Sequence, residues 1–392
     1  MKLLKLSLFL LFILLSLLLV SWEFQRQEGE DTLSNVSSNT SSQSFKPLEN
    51  KTPLEGEFQP VLTYPGRDFQ GFGRRIFVYY DGAVKAYDLE TGELLLNITP
   101  VYNCYFSNRY AYLKTNNGSF ILDYKTLKLE RVTPTKEDKY VFKFGDCVIR
   151  IREKNALVSS CEFEFRSTPK IVFFNNSFVI FGLFGAIDER LLFFDNKCNL
   201  LNDTVINYSP DFKVFGDKIF FIDRKLHSKT LPKFPEIEGE MITHEYLKES
   251  EIYLFSSDGT LIANLTLGGV IGFHNDTIYT IYPYGIGKFY LSNMSLEQKV
   301  VNYVLYSGWA IIQGVWGDFS DEFIAFVYWG FSGEVGRSFS GICVYPYGKP
   351  IRCSSYGQKF KRMSPIDEIK AWDRYFAVVP REESRVVIYE VR

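Results

Sequence analysis

An all-β fold, a β-propeller of seven or eight blades with eight favoured, is what the sequence predicts for residues 58–392. Short apolar runs bounded by turn residues fill the chain to its C-terminus, and they restart as sets about every 30 to 45 residues. Almost nothing has helical periodicity. A sheet of three or four short strands cannot bury both faces alone, so such sets stack radially on their neighbours. A β-sandwich pair or a β-solenoid is the alternative arrangement.

The clearest set is residues 75–99, with apolar runs at 76–80, 84–89 and 94–98. Asp81-Gly82 separates the first two, and Asp-Gly suits a tight turn that needs positive φ. Glu90-Thr91-Gly92 separates the second from the third. A second set turns at Asn116-Asn117-Gly118, and a third starts at Lys139 and spans Cys147 to Cys161. A fourth covers 170–195, a fifth 212–223, and a sixth 252–265 around Ser257-Asp258-Gly259. A seventh occupies 270–304 and an eighth 308–353. The last set, in 371–379 and 385–391, is one strand short, and residues 58–64 can supply the missing strand across the seam. Residues 364–369 read as one helical turn.

Within the first set, Ala86-Tyr87-Asp88-Leu89-Glu90-Thr91-Gly92-Glu93 resembles the quinoprotein-type propeller repeat, in which a strand ending in Asp-x-x-Thr-Gly leads to the next. The Trp that follows the Gly in such repeats is replaced by Leu95 or Leu96, and no second set repeats the Thr-Gly pair. The resemblance implies the propeller fold and not a bound pyrroloquinoline quinone, so no cofactor is expected. Trp372-Asp373 resembles the signature dipeptide of WD40 repeats, but it reads as preceding a strand rather than ending one.

The chain opens with Lys2 and Lys5, read as a cytoplasmic N-terminus at 1–5, and then an apolar run that reaches Trp22. Residues 6–22 number 17, the lower limit for a spanning helix. With no small-x-small cleavage site after the run, an uncleaved signal anchor is favoured over a removed signal peptide. Residues 23–57 are rich in Ser, Thr, Asn, Gln and Glu and read as a disordered stalk. Positive charge before the anchor puts the rest of the chain outside the cell.

Eleven of the 19 asparagines sit in Asn-x-Ser/Thr sequons: Asn35, Asn39, Asn50, Asn97, Asn117, Asn175, Asn202, Asn207, Asn264, Asn275 and Asn293. Chance would give roughly two or three, so the set reads as glycosylation acceptors on an exported protein. Six cysteines in such a chain favour disulfides. Cys147 with Cys161 and Cys343 with Cys353 each flank a hairpin-like segment, which leaves Cys104 for Cys198. Low Gln, few His and abundant Tyr, Ile and Phe fit an archaeal envelope from a hot habitat.

Chemistry is sparsely signalled. His227, His244 and His274 have no ligand spacing, no hydrolase, zinc, phosphate-loop or EF-hand motif occurs, and no catalytic or metal residue is expected. Asp318, Asp321 and Glu322 read as solvated loop acids. A net charge of -2 gives no footprint for nucleic acid. Residues 308–347 hold Trp309, Trp316 and Trp329, three of five Trp, with Phe319, Phe323, Phe326, Tyr328, Phe331, Phe339, Tyr345 and Tyr347. Blade packing explains most of these, while Trp309, Trp316, Trp329 and Phe331 are the candidates for a binding surface. The expectation is a membrane-anchored, N-glycosylated binding or assembly module with an envelope protein or glycan as partner. An extracellular quinoprotein-like oxidoreductase or carbohydrate-active hydrolase or lyase at the propeller centre is the alternative, as is a subunit of envelope assembly machinery.

Overall fold

The computed structural model describes residues 58, 60–66, 68–207, 211–225, 249–282, 285–300, 311–332, 337–356, 366–381 and 383–392. The anchor at 6–22, the stalk with Asn35, Asn39 and Asn50, and also Trp309, His227 and His244 lie outside them.

Short turns between apolar runs make each strand fold back on the last, and the result among the described residues is eight four-stranded antiparallel sheets. Strand β1 (Pro60–Pro65) precedes blade 1, which is β2 (Asp68–Phe72), β3 (Arg75–Tyr80), β4 (Ala83–Asp88) and β5 (Leu94–Ile98). Blade 2 is β6 (Val101–Phe106), β7 (Tyr110–Thr115), β8 (Gly118–Asp123) and β9 (Leu129–Val132). Blade 3 is β10 (Tyr140–Phe144), β11 (Cys147–Ile151), β12 (Asn155–Val158) and β13 (Cys161–Glu164). Blade 4 is β14 (Lys170–Phe173), β15 (Ser177–Leu183), β16 (Asp188–Asp195) and β17 (Leu200–Asn207). Blade 5 is β18 (Asp211–Phe215), β19 (Lys218–Lys225), β20 (Glu249–Ser256) and β21 (Leu261–Gly268). Blade 6 is β22 (Val270–His274), β23 (Thr277–Tyr282), β24 (Gly285–Tyr290) and β25 (Ser295–Val300). Blade 7 is β26 (Ile311–Phe319), β27 (Phe323–Ser332), β28 (Arg337–Pro346) and β29 (Arg352–Tyr356). Blade 8 takes β30 (Ile366–Trp372), β31 (Tyr375–Pro380) and β32 (Arg385–Glu390) from the C-terminus, and β1 completes it.

The N-terminal strand therefore closes the ring, with Thr63 opposite Val387 and Tyr64 opposite Val386. Three sequence expectations need correction. The runs at 212–223 and 252–265 belong to one blade: each supplies only two strands, and β19 pairs with β20 along its whole length across the intervening residues. Residues 366–372 are the inner strand β30, not a helical turn, and Trp372 ends that strand. The Asp88 turn also recurs in shape where its Thr-Gly pair does not. Asp88 N–H donates to Glu93 O and Gly92 N–H to Asp88 O, and Asp123 and Leu127 repeat both bonds with Lys128 O and Asp123 O. Leu127 stands in the left-handed region at φ 58°, where Gly92 has φ 71°.

Period-two alternation divides each strand between two neighbours. Phe77 packs toward blade 2, whereas Ile76 and Val78 pack toward blade 8. The apolar clusters follow one another round the ring, joining blades 1 and 2, 2 to 4, 4 and 5, 5 to 7, 7 and 8, and 8 and 1. Middle strands, covered on both sides, are buried throughout, as β31 is, while outer strands such as β9 are largely exposed. At the closing seam the Trp372 ring lies so flat on Gly71 that a Cβ there would fall inside it, and Trp372 Nε1 donates to Gly73 O at 3.1 Å.

Two disulfides form. Cys343 and Cys353 sit opposite each other on β28 and β29, and Cys147 bonds Cys198, tying blade 3 to blade 4. The expected Cys147–Cys161 and Cys104–Cys198 pairs do not occur. Residues 147–164 make three strands, not two, so β12 separates Cys147 from Cys161. Cys161 is exposed, and Cys104 packs at the junction of blades 1 and 2 with its thiol held protonated by burial.

Candidate functional site

Every blade enters at its inner strand, and these strands surround a cavity of about 1360 Å³. Its wall is uneven because the turn after β6 bypasses blade 3. Asn108 Nδ2 donates to Phe173 O at 2.7 Å, Phe173 N–H returns a bond to Asn108 Oδ1 at 2.9 Å, and Arg109 Nη1 donates to Phe174 O at 3.2 Å. Blade 2 thus meets blade 4 directly. Beside it Tyr105 stacks on Tyr140 of blade 3, with ring centroids 4.3 Å apart, and burial pushes its phenol up to about 12. The cavity draws nothing from β10 and only Ile171 from β14, and so leans toward blades 5 to 8.

Across that side runs an internal tie. Lys213 of β18 reaches Asp318 Oδ2 of β26 at 2.6 Å and donates to Ala371 O of β30 at 2.6 Å. Ala371 N–H donates to the same Asp318 oxygen at 2.8 Å. One lysine joins blades 5, 7 and 8 past blade 6. Asp318 is therefore a paired strand residue rather than the solvated loop acid expected. Arg381 with Asp367 at 3.1 Å and Lys370 with Glu368 at 2.7 Å pair two more acids on the wall.

At the end where the inner strands finish, Asp321 lines the cavity beside Glu322, and Asp373 follows β30. Burial first, then the charges of Asp321 and Asp373, raises the Glu322 carboxyl. Burial and Asp321 likewise raise the Asp373 carboxyl. This mouth is acidic, and burial and mutual repulsion raise two of its carboxyls.

The aromatic candidates separate. Trp316 on β26 and Trp329 on β27 both line the cavity, half-buried against the cluster between blades 7 and 8. Trp316 is opposite Val327 and Gly314 opposite Trp329, so the two indoles are diagonal neighbours on one sheet face. Phe319, Phe323, Phe326, Tyr328 and Tyr345 are core. Phe331 pairs with Ile311 along β27, and Trp309 is outside the described residues. His274 ties two turns together: its Nδ1 is 2.6 Å from Asp321 O and its ring stacks on Tyr347 at 4.9 Å. Among the described residues no group of His, Cys, Asp and Glu could hold a metal ion.

Of the eight sequon asparagines among the described residues, Asn97, Asn117, Asn175, Asn264, Asn275 and Asn293 are exposed, and Asn202 and Asn207 are half-buried. Asn117, Asn175, Asn275 and Asn293 stand in turns, and Asn97 and Asn264 lie on the outer strands β5 and β21.

No protein-family model matches the chain, and no curated protein matches it. Solved structures do. The WD40 domain of SCAP from fission yeast aligns with a TM-score of 0.47 at 11% identity over 85% of this chain and 98% of that one. The β-propeller domain of the Trilobed protease from Pyrococcus furiosus aligns with 0.40 at 11% identity over 83% and 95%. Kluyveromyces lactis Hsv2 gives 0.36 at 10% over 77% and 99%. All three scores are below 0.5, so the propeller fold rests on the eight four-stranded sheets themselves, and the likeness carries nothing about activity.

Proposed function

We propose that this protein is a membrane-anchored, N-glycosylated propeller outside the cell, serving there as a binding or assembly module of the envelope. The observation that carries the reading is the sequon set: eleven sequons in the sequence, with six of the eight described asparagines exposed. Ordinary turn asparagines would not gather Ser or Thr two places on so often. The apolar run at 6–22 supplies the anchor, and the stalk at 23–57 carries the ring away from the bilayer.

The partner-facing feature is the cavity wall of blades 7 and 8, where Trp316 and Trp329 offer indole surface beside acids. That combination suits an envelope protein segment or a glycan, since sugars stack on aromatic rings and carboxylates accept their hydroxyl hydrogens. The acidic mouth at Glu322 and Asp373, where burial and neighbouring carboxylates raise both groups, is what favours the second reading, an extracellular carbohydrate-active enzyme using paired acids.

Fractionation of cells producing the full chain, with protease added to intact cells, tests the location. Recovery in the membrane fraction, loss of the propeller to external protease, and a mobility shift on removing glycan are expected. Recovery of unglycosylated, protease-protected protein in the soluble fraction would overturn the proposal.

A further inference from the structure

We infer that Asn97, Asn117, Asn175, Asn264, Asn275 and Asn293 carry glycan, whereas Asn202 and Asn207 stay bare as structural residues joining blade 4 to blade 5. This rests on the extracellular reading and adds to it which sequons are used.

N-glycosylation joins the amide nitrogen to the anomeric carbon of an oligosaccharide delivered on a lipid phosphate. The sugar–phosphate bond breaks, the phosphate leaves, and the amide gives up one proton. One N–H remains. Asn207 has need of both: its Nδ2 donates to Glu251 Oε2 at 3.0 Å and to Tyr253 Oη at 3.1 Å, both on β20 of the next blade. Tyr253 in turn donates to Glu251 Oε1 at 2.5 Å, so the three side chains form one network. A glycan would remove one donor from it and would have to leave through the joint.

Asn202 is closed in differently. Its Nδ2 donates to Gly259 O in the turn between β20 and β21, and a Cβ at Gly259 would collide with Asn202 Cβ and the Phe193 ring. A sugar on that nitrogen would have to displace the Gly259 contact, where the backbone packs closely on Asn202.

The other six differ in exposure, and the Nδ2 contact found among them, Asn275 to its neighbour His274 at 2.9 Å, is at an exposed turn and joins no two blades. They are exposed, and at Asn293 the side-chain oxygen accepts from Ser295 N–H at 3.2 Å and from the Ser295 hydroxyl at 2.6 Å, leaving Nδ2 turned away from that contact. These six fall on blades 1, 2, 4, 5 and 6, while blades 3, 7 and 8 contain no sequon. Sugar at these positions leaves blades 3, 7 and 8, with Trp316 and Trp329, free of glycan of their own, while Asn275, beside His274, stands next to Asp321 at the edge of the acidic mouth.

Glycopeptide mass spectrometry of the full chain, purified from membranes of cells that glycosylate it, tests this. Glycan mass on the six and unmodified Asn202 and Asn207 are expected. Glycan on Asn202 or Asn207 would overturn the inference and leave the extracellular reading standing, as would glycan confined to Asn35, Asn39 and Asn50. No glycan on any of the eleven would overturn both. The variants Asn207→Asp and Asn264→Asp, compared after enzymatic removal of glycan, give an independent readout. The new carboxylate beside Glu251 lowers Tm by about 2–4 °C for Asn207→Asp, and Asn264→Asp leaves Tm unchanged. Equal Tm for both variants would remove the structural role assigned to Asn207.

Discussion

Asp138 is the residue on which the entry to blade 3 depends. Its side chain is fully buried and meets Arg150 Nη1 at 2.5 Å and Arg152 Nε at 3.1 Å, while Thr135 N–H donates to it at 2.8 Å. Burial alone would raise this carboxyl, but the bonds from Thr135, Arg150 and Arg152 outweigh it and hold the pKa below the usual value. A carboxyl whose folded pKa is depressed stabilises the fold above its unfolded pKa, and that contribution is lost as pH falls through the folded value. Asp138→Ala is therefore expected to lose about 3 kcal/mol at pH 7, with the gap to the parent narrowing as the pH falls below about 4. Urea unfolding midpoints across that range check it. Asp373 works in the opposite sense, because a raised folded pKa means the fold prefers the protonated form. Stability falls as pH rises through the unfolded carboxylate range toward the folded pKa. Asp373→Asn keeps the left-handed turn, since φ is 47° and Asn tolerates that region. At pH 7 it is expected to be more stable than the parent by under about 1 kcal/mol, the group being partly exposed. A loss of stability on that substitution would contradict the repulsion assigned to the mouth.

Elements were legible where local chemistry decides them and obscure where distance does. Asp81-Gly82 named its turn, and both residues have positive φ. Blade 5 was read as two sets because residues 226–248 separate its halves, and no local signal says that β19 and β20 are partners. The disulfides failed for a related reason. Spacing revealed that Cys147 and Cys161 flank a turn-rich stretch, but an extra strand moved them to non-adjacent positions. The observed Cys147–Cys198 bridge spans 51 positions and Cys343–Cys353 spans 10. On chain entropy alone they stabilise by about 4 and about 3 kcal/mol. Replacing both members of each pair by Ala should reproduce that order in denaturant midpoints, and a larger loss from the shorter loop would contradict it. The site was legible only in part. Trp316 and Trp329 stood out among the aromatics, yet Lys213 and Asp318 are 105 positions apart and meet because β18 and β26 face one cavity. A lone lysine in the apolar run Asp211–Phe215 was the signal available for it.

For the whole molecule, ring closure determines the rest. At the seam β1 lies against β32, and the Trp372 ring of blade 8 covers Gly71 of blade 1. Phe58 anchors that approach, 2% exposed, with its ring edge-on to Phe376 at 5.7 Å. The seam also carries ion pairs: Glu90 of blade 1 meets both Arg74 and Arg374, and Arg374 Nε lies 3.3 Å from Glu390. These are exposed and contribute little, so apolar packing between blades 8 and 1 holds the seam shut. The test is a disulfide placed across it. Oxidising the full chain with Thr63→Cys and Val387→Cys, after Cys104→Ser and Cys161→Ser, should link the two positions within one chain. The product should migrate as a compact monomer whose new bond joins the peptides holding residues 63 and 387. If those thiols stay free, or bond only between chains, β1 does not complete blade 8 and the ring is open.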